Sequence, residues 1–544
     1  MASYRKPAPA WRVCGLYKLL ALVLAGCAAP APAPAPTTTP AASHAATAAK
    51  QAPAALPEAE AFASPPPSAA EAFRFLNRLS WGATDAEVRE YASTPAGDYL
   101  RVQLRPGEDR LPASVQAQID ALTLSRRPMV ELVQGLEQQR RAADAVTNDD
   151  EKNAARQSYQ QELTRLGREA ATRHLLRALA SRNQVQQRMT WFWLNHFNVY
   201  QFKSNLRAMV GDFDDVAIRP HAMGRFRDLL GAVSYHPAML RYLDNEQNAS
   251  GRLNENFARE LMELHTLGAD GGYSQGDVQQ LARVLSGVGV NLQPGNPTIR
   301  RELQAHYVRR GLFEFNPQRH DFGAKQLLGQ PLQSRGLAEV DEALDRLARH
   351  PATARFISRK LAQFWLSDRP DEALVARMAQ TFLLSDGDIA QTLATLFSAP
   401  AFAQRSGAKF KDPMHYVLSS VRMAYGSDSV VQVAPLLNWL NRLGQPLYGR
   451  QTPDGYPMDQ SGWDSPGQMA ARFEVARAIA SANATLLGAA AALPRIDLAQ
   501  SAGSPYQQAI VSALGAATRN ALAQATSVQE RNSFLLASPE MMLR

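Results

Sequence analysis

The chain has 544 residues, a formal charge of +8 and two cysteines, Cys14 and Cys27. Because both cysteines lie within the first 27 residues, the rest of the chain has no thiol for a disulfide, a thiolate metal site or a cysteine nucleophile. No tract of lysine and arginine is interleaved with aromatic residues, so we expect no nucleic-acid partner.

Residues 1–26 have the pattern of a secretory signal peptide. Basic residues precede the apolar run LLALVLAGC, which is too short to span a bilayer and ends in small residues. The end of this run, Leu24 to Cys27, resembles the lipobox of bacterial lipoproteins, which implies cleavage before Cys27 and lipidation of that cysteine. Removing the four basic residues of this leader lowers the formal charge to +4. Ala28 and Ala29 carry no acidic retention signal, so we expect an anchor in the outer rather than the inner membrane of the cell envelope.

Residues 27–67 form a low-complexity segment. Alanine, proline and threonine dominate it, and such a composition cannot bury a core and favours an extended, semi-stiff chain. We expect a disordered tether that holds residues 68–544 away from the membrane.

Residues 68–544 are predicted to form one large, irregular all-α domain with long loops. Apolar residues recur at three- and four-residue spacing in stretches such as RHLLRALASRNQVQQRMTWFWLNHF and ATARFISRKLAQFWL. Alternating patterns are scarce, and GVGVNLQ and RRELQAHYV predict at most a short β-hairpin. The charged segment 138–169 is predicted to be a solvated helical hairpin that turns near Asn148–Asp150.

Proline marks the start of several predicted helices. In YHPAML, RHPATA, SAPAFA and ASPEMM, the proline precedes a fresh apolar-periodic run, as expected for proline at the first helical position. In contrast, residues 443–467, LGQPLYGRQTPDGYPMDQSGWDSPG, are rich in glycine, proline and aspartate. A loop of this length inside a compact domain is more often functional than not.

The stretch NENFARELMELHTLG, residues 254–268, concentrates acidic residues and a histidine on a predicted helix. On a helical wheel, leucines and Phe257 form a stripe that faces the core. Glu260 falls inside this stripe, Glu263 lies on its border, and His265 lies roughly 140° from Glu260. Glu260 and His265 therefore cannot bind one metal ion from this helix alone, and we expect no metal site of the HExxH type. Glu260 is predicted to be a buried carboxylate that needs a partner or a proton.

The segment QVQQRMTWFWLNHFNVY is apolar around nearly its whole circumference, which predicts a helix buried on all sides. Because a buried arginine needs a carboxylate, we predict an ion pair between Arg188 and Glu260 or Glu263. Such a pair could simply hold the helices in register. It could also belong to a cleft in which glutamates and histidines transfer protons while Arg188 and Asn195 orient the substrate. The catalytic candidates are Glu260, Glu263, His196, His265, Arg188 and Asn195.

Three further polar clusters could line the same cleft. They are Asp244, Asn245 and Asn248; His320, Asp321 and Lys325; and Lys411, Asp412 and His415. For each histidine alone, a capping or core role is commoner than metal binding. The DFG triplet lacks the other kinase motifs, and no G-x-S-x-G elbow or P-loop appears, so the residues leave the cofactor and the reaction open.

Several motifs together resemble a known family. In chain order, FLNRLSWGAT, WFWLNHFNV, HPAMLRYLDNEQN, NENFARELMELHTLG, HDFGAKQLLG, FISRKLAQFWL and LGQPLYGRQTPDGYP resemble landmarks of the bacterial family called domain of unknown function 1800. The resemblance covers nearly all of the chain after about residue 70, and it implies a large, helical, exported protein with no assigned reaction. Genes of that family often lie beside genes of a sulfatase-like exported family, domain of unknown function 1501, which implies a shared pathway or complex. This chain departs from the pattern at its front, where many members look simply secreted.

These patterns predict a lipid-anchored envelope protein with a buried Glu/His/Arg/Asn cleft. We expect a hydrolase or related enzyme that acts on an envelope or extracellular polymer. The alternative is a non-catalytic assembly or maturation partner of a co-exported protein of the 1501 family. A third interpretation, metal dependence, would need histidine and carboxylate ligands that converge from separate helices.

Overall fold

The computed structural model describes residues 68–94, 96–404, 409–426, 432–481, 497–498 and 503–544. All of them belong to one compact unit, Pro53–Arg544. The predicted signal peptide, the predicted lipidation site Cys27 and the predicted tether up to residue 67 lie outside the described residues. Within the described part, no helix is both long enough and apolar enough to cross a membrane.

Helices make up 63% of the structure and strands 4%, which confirms the all-α prediction. The N-terminal part of the body consists of α1 (Ala69–Leu79), α2 (Asp85–Ala92), α3 (Ala96–Leu104), α4 (Ala113–Ala121), α5 (Thr123–Arg126), α6 (Met129–Ala145), α7 (Asp149–Ala180) and α8 (Gln184–His196). Helices α6 and α7 form the predicted helical hairpin. The Asn148 side chain caps α7 by accepting a hydrogen bond from the Glu151 N–H at 3.1 Å.

The central part mixes short helices with small sheets. Its helices are α9 (Val210–Asp212), a π-helix (Phe213–Ile218), α10 (Phe226–Ser234), α11 (Pro237–Tyr242), α12 (Asn256–Glu263) and α13 (Gln275–Val284). Its strands are β1 (Val288–Val290), β2 (Val308–Arg310), β3 (Phe313–Phe315), β4 (Gln326–Leu327) and β5 (Gln330–Pro331).

The predicted β-hairpin was wrong in its strand pairing. Strand β3 lies between β1 and β2 in an antiparallel sheet, with Val288 and Val308 both opposite Phe315. Most of the segment RRELQAHYV forms a 3₁₀ helix over Arg301–His306 instead of a strand. The buried FEF segment of β3, whose pattern the sequence reasoning had not used, supplies the central strand.

The C-terminal part is again helical. It consists of α14 (Leu337–Ala348), α15 (Pro351–Trp365), α16 (Glu372–Leu384), α17 (Ile389–Phe397), α18 (Pro400–Gln404), α19 (Pro413–Tyr425), α20 (Ala434–Arg442), α21 (Pro466–Ala480), α22 (Pro505–Ser512), α23 (Ala516–Gln524) and α24 (Val528–Leu536). One hydrophobic core runs through all three parts, and Trp81, Trp193 and Trp365 are among its largest fully buried side chains.

The proline-marked helix starts are confirmed, and the histidines that precede two of them are the caps. In α11 the Nδ1 atom of His236 accepts a hydrogen bond from the Ala238 N–H at 3.1 Å. His350 caps α15 in the same way, with the Ala352 N–H at 3.2 Å. In each His-Pro pair, the histidine therefore accepts a hydrogen bond from an N–H of the first helical turn that would otherwise be unpaired. The proline has no N–H and needs no acceptor.

Candidate functional site

The acidic helix is shorter than predicted. Helix α12 ends at Glu263, and the chain after it turns through wider hydrogen bonds, from the His265 N–H to the Glu260 carbonyl at 3.0 Å and from the Leu267 N–H to the Met262 carbonyl at 2.8 Å. His265 therefore lies beyond the helix, and the wheel angle assigned to it was wrong. Each of these hydrogen bonds spans five residues instead of four, so the turn contains one extra residue. This rotates His265 into the core, where it is 0% exposed.

Glu260 and Glu263 remain near the surface. Both side chains are partly buried, so the prediction of a fully buried Glu260 was wrong. Burial nevertheless raises the pKa of Glu260, and the charges of Glu263 and of the more distant Asp454 raise it further. Arg259 opposes this shift by lowering the same pKa. A carboxyl group that holds its proton more tightly than usual, beside other carboxylates, is the arrangement on which acid/base sites depend.

The predicted Arg188 ion pair was wrong. Arg188 is 0% exposed, and among the described residues none of its three guanidinium nitrogens has a carboxylate partner. Its guanidinium instead stacks on aromatic rings, 4.0 Å from the centre of the Trp365 ring and 5.1 Å from that of Phe364, and it donates a hydrogen bond to the Arg78 carbonyl. The faces of aromatic rings attract a desolvated cation, so this arginine needs no carboxylate. Arg188 is therefore a core residue and takes no part in the acidic site.

The two candidate histidines do lie together in the core. The Nε2 atom of His196 donates a hydrogen bond to the His265 carbonyl at 3.1 Å, and the two ring centres are 6.0 Å apart. Burial lowers the pKa of His265 to about 3 and that of His196 well below its usual range, so both rings are neutral near pH 7. Among the described residues, neither ring nitrogen of His265 has a hydrogen-bond partner.

Lys360 of α15, which sequence reasoning missed, joins this group. Its ammonium is 5.4 Å from the centre of the Phe356 ring, and the same ring lies 6.2 Å from that of His196. Burial lowers the pKa of Lys360 to about 8, and the charge of Asp454 opposes that fall. The charge of Lys360 in turn lowers the pKa of both histidines. Lys360 therefore connects the neutral histidines electrostatically to the carboxylates.

Asp454 pairs with Arg450 at 3.1 Å and acts on Glu260 only through its charge. It lies within electrostatic range because the 443–467 loop is fastened to the end of α8. The Asn195 amide donates to the Tyr456 carbonyl at 3.0 Å, and its oxygen accepts from the Tyr456 N–H at 2.6 Å. The Asn198 amide donates to the Arg450 and Thr452 carbonyls, each at 2.9 Å. Asn195 thus acts as a positioning residue for the loop, which differs from its predicted role towards a substrate.

Gly455 is the residue that permits this close approach. Its φ is +79°, and a Cβ atom built on it would lie 2.2 Å from the Asn195 carbonyl oxygen. Only glycine adopts that conformation without strain and leaves room for the helix end. The sequence signal for Asp454 was present in the loop composition, but nothing in the sequence placed this loop against the glutamates.

The three other clusters form hydrogen-bond groups of their own. Asn245 donates to the Leu285 and Val288 carbonyls, and Asn248 donates to the Ala282 carbonyl, so both amides hold the chain before α12 in place. Asp244 instead pairs with Lys203 at 2.7 Å.

The second cluster is an enclosed ion-pair group. Lys325 pairs with Glu339 at 2.6 Å, His320 donates to the Ser286 carbonyl at 2.7 Å, and Asp321 pairs with Arg283 at 2.7 Å. All of these contacts tie neighbouring segments together, which is a structural role.

The third cluster is also structural. Asp412 caps α19 by accepting from the His415 N–H at 2.8 Å, and the His415 ring contacts the Arg544 guanidinium at 2.8 Å. Lys411 is buried, and burial lowers its pKa to about 7. In the part of the chain that the structure describes, no three histidine, cysteine or acidic side chains converge as metal ligands.

A comparison with protein-family models identifies the chain's relatives. Residues 74–543 match the model described as "Protein of unknown function (DUF1800)". The chain belongs to the DUF1800 family. The match spans the whole helical body, including the acidic helix, Lys360 and the Asp454 loop, so these features belong to the DUF1800 domain and not to an added module. Searches of curated proteins and of solved structures return no match.

Proposed function

We propose that this DUF1800 protein is a lipid-anchored envelope hydrolase that cleaves glycosidic bonds in an envelope or extracellular polymer. The observation that carries the proposal is the group of carboxyls around Glu260. Burial and the charges of Glu263 and Asp454 together raise the pKa of Glu260, so this carboxyl retains its proton to higher pH than an ordinary glutamate. Glycosidic hydrolysis uses one carboxyl as a proton donor and a second as a base or nucleophile, and this group of side chains offers candidates for both roles.

In this proposal Glu260 is the general acid. Its proton passes to the departing oxygen of the cleaved bond, while Glu263 or Asp454 accepts a proton from the attacking water. The charge of Asp454 opposes the fall in the pKa of Lys360, so the two side chains interact electrostatically. Because both histidines are neutral and buried, they do not act as acids in this proposal.

The test is the activity of amide variants. Glu260→Gln, Glu263→Gln and Asp454→Asn remove one ionisable group each and keep the shape of the side chain. We expect Glu260→Gln and one of the other two to lower the release of reducing ends from purified envelope and extracellular polysaccharides by about 10²–10⁴-fold. Glu302→Gln is the matched control, because its side chain is 67% exposed and belongs to no part of the site.

The second candidate function is that of a non-catalytic assembly or maturation partner for a co-exported protein of the 1501 family. The structural role of several polar residues favours this second function. Asn195, Asn198 and Asn248 all form hydrogen bonds that hold loops to helices. A scaffold needs the shape of Glu260 and Glu263 but not their protons. If both amide variants complement a deletion strain at wild-type protein levels, the scaffold function stands and the hydrolase is refuted.

We further infer that Cys27 anchors the protein, through lipid, in the outer membrane. The apolar run that ends in Leu24-Ala25-Gly26-Cys27 and the neutral Ala28-Ala29 pair support this assignment. Acylation at more than one site anchors stably, whereas one acyl chain does not. Cys27→Ser is expected to release the protein from the membrane fraction or to leave the uncleaved precursor. A variant that fractionates and migrates as the wild type does would refute the anchor.

A further inference from the structure

A separate cleft of about 480 Å³ lies between the α4–α6 segment, α7 and residues 207–216. None of its lining residues belongs to the carboxyl group around Glu260. Its most unusual feature is its arginines, which come from three different parts of the chain. They are Arg126, Arg127, Arg173, Arg177 and Arg207.

Each of the three aspartates that line the cleft has a partner outside any ligand. Asp215, in the π-helix, contacts Arg173 at 3.0 Å and also pairs with Arg177 and Arg219. Asp212 accepts a hydrogen bond from the His236 ring at 2.9 Å. The third aspartate, Asp120, is exposed and accepts from Gln116 at 2.8 Å. Only Asp215 pairs with arginines of the cleft, and the five arginines of the lining outnumber its three aspartates by two.

Among the described residues, Arg126, Arg127 and Arg207 form no ion pair with an aspartate of the cleft. Arg126 donates from Nε to the uncharged Asp120 carbonyl at 2.9 Å. Arg127 lies 3.8 Å from Glu131, and both of these side chains are more than half exposed, so this pair is weak.

Arg207 has only neutral acceptors, Thr164 at 2.9 Å and Gln160. Its Nε atom is buried, and no described residue accepts from it. A buried N–H without an acceptor costs free energy unless a ligand or water supplies one. Partial burial also lowers the pKa of Arg207, which is the expected effect of a positive charge without a carboxylate beside it.

The other walls of the cleft are apolar. Ile119, Leu132 and Leu166 are buried side chains that line it, and Leu124 and Met129 complete the apolar surface. A small inorganic anion would leave these apolar side chains in contact with water. The cleft therefore suits a molecule with both a charged oxyanion and an apolar portion.

We propose that this cleft binds a phosphate ester that carries an apolar group. Guanidinium groups from several segments suit an oxyanion with several oxygens, because each planar fork can donate two parallel hydrogen bonds. The same chemistry occurs in the headgroup of an anionic lipid and in a soluble phosphate ester. The inference does not depend on the proposed hydrolase.

The test is isothermal titration calorimetry of the full chain with four probes. They are a short-chain phosphatidic acid below its micelle concentration, glycerol 3-phosphate, inorganic phosphate, and a short-chain phosphatidylcholine as the zwitterionic control. We expect phosphatidic acid to bind more tightly than phosphatidylcholine, with an affinity that falls as salt concentration rises. The double variant Arg126→Gln/Arg127→Gln should weaken binding roughly tenfold for each arginine removed.

Arg89→Gln is the matched control, since Arg89 forms an exposed i,i+4 pair like that of Arg127 and lies outside the cleft. It should bind as the wild type does, and the urea midpoints of all variants should agree, because the substituted arginines are exposed. Glycerol 3-phosphate has no apolar group and should bind more weakly than phosphatidic acid, so equal affinity of the two would overturn the proposed apolar part of the ligand. The proposal is overturned if neither ester binds, if only inorganic phosphate binds, if phosphatidylcholine binds equally well, or if the double variant keeps full affinity.

Discussion

Substitutions of Arg188 test whether a buried positive charge without a carboxylate partner stabilises this core. We predict that Arg188→Met is only mildly destabilising, whereas Arg188→Ala is strongly so. The reason is that the arginine fills a large volume among Trp81, Phe364 and Trp365 while receiving little electrostatic support beyond the rings and one carbonyl.

The magnitude follows from the contacts. Arg188→Met loses a cation–π interaction of about 2 kcal/mol and one hydrogen bond from a charged donor, about 1.5–3 kcal/mol. It also removes the cost of burying a guanidinium, which is several kcal/mol. The expected net loss in the free energy of unfolding is about 0–2 kcal/mol. Arg188→Ala adds a cavity, which brings its loss to about 3–5 kcal/mol.

The assay is urea unfolding of both variants, followed by tryptophan fluorescence and by circular dichroism. Equal m-values will show that the variants change stability and not the extent of unfolding. If Arg188→Met loses as much stability as Arg188→Ala, the positive charge itself is needed. Arg188 would then not stabilise the core mainly by filling volume between aromatic rings.

Three further predictions concern stability. The pKa of Glu260 is raised in the folded protein, so ionising this side chain destabilises the fold. Glu260→Gln should therefore be as stable as the wild type below pH 4.5, the ordinary pKa of glutamate, and should become relatively more stable above it. A difference in urea midpoint that stays constant across pH would contradict this. Gly455→Ala should cost more than about 2 kcal/mol, since its Cβ meets the Asn195 carbonyl at a positive φ, and unchanged protease resistance of the loop would contradict this. In thermal unfolding, His236→Ala should lower the free energy of unfolding by about 1–3 kcal/mol and His350→Ala by about 1 kcal/mol. The difference arises because His236 makes a second hydrogen bond besides its cap, and equal losses in the two variants would contradict this.

Local features could be predicted because their causes lie within a few residues. The turn at Asn148, the proline-marked starts of α11 and α15 and the largely buried α8 depend on short spacings, and the structure has all of them. The all-α architecture follows from the same three- and four-residue periodicity repeated along the chain. The candidate glutamates, Glu260 and Glu263, were also found in this way, as polar residues in or beside an apolar stripe.

Distant features could not be predicted, because their causes lie in other parts of the chain. The partner of Arg188 proved to be a set of aromatic rings, and sequence periodicity carries no information on which surface a buried cation will meet. His265 left the helix because α12 ends in a widened turn, and the wheel assumed a regular helix throughout.

The sequence by itself determined which segments are helical, where they begin and which helix carries the acidic pair. Only the tertiary structure decided what surrounds that pair. Lys360 and Asp454 lie 100 and 194 residues after Glu260, and the hydrogen bonds of Asn195 to the loop bring Asp454 to the site. The pKa of Glu260 depends on burial and on charges beyond its own helix, so it is a property of the packed chain and cannot be read from one segment.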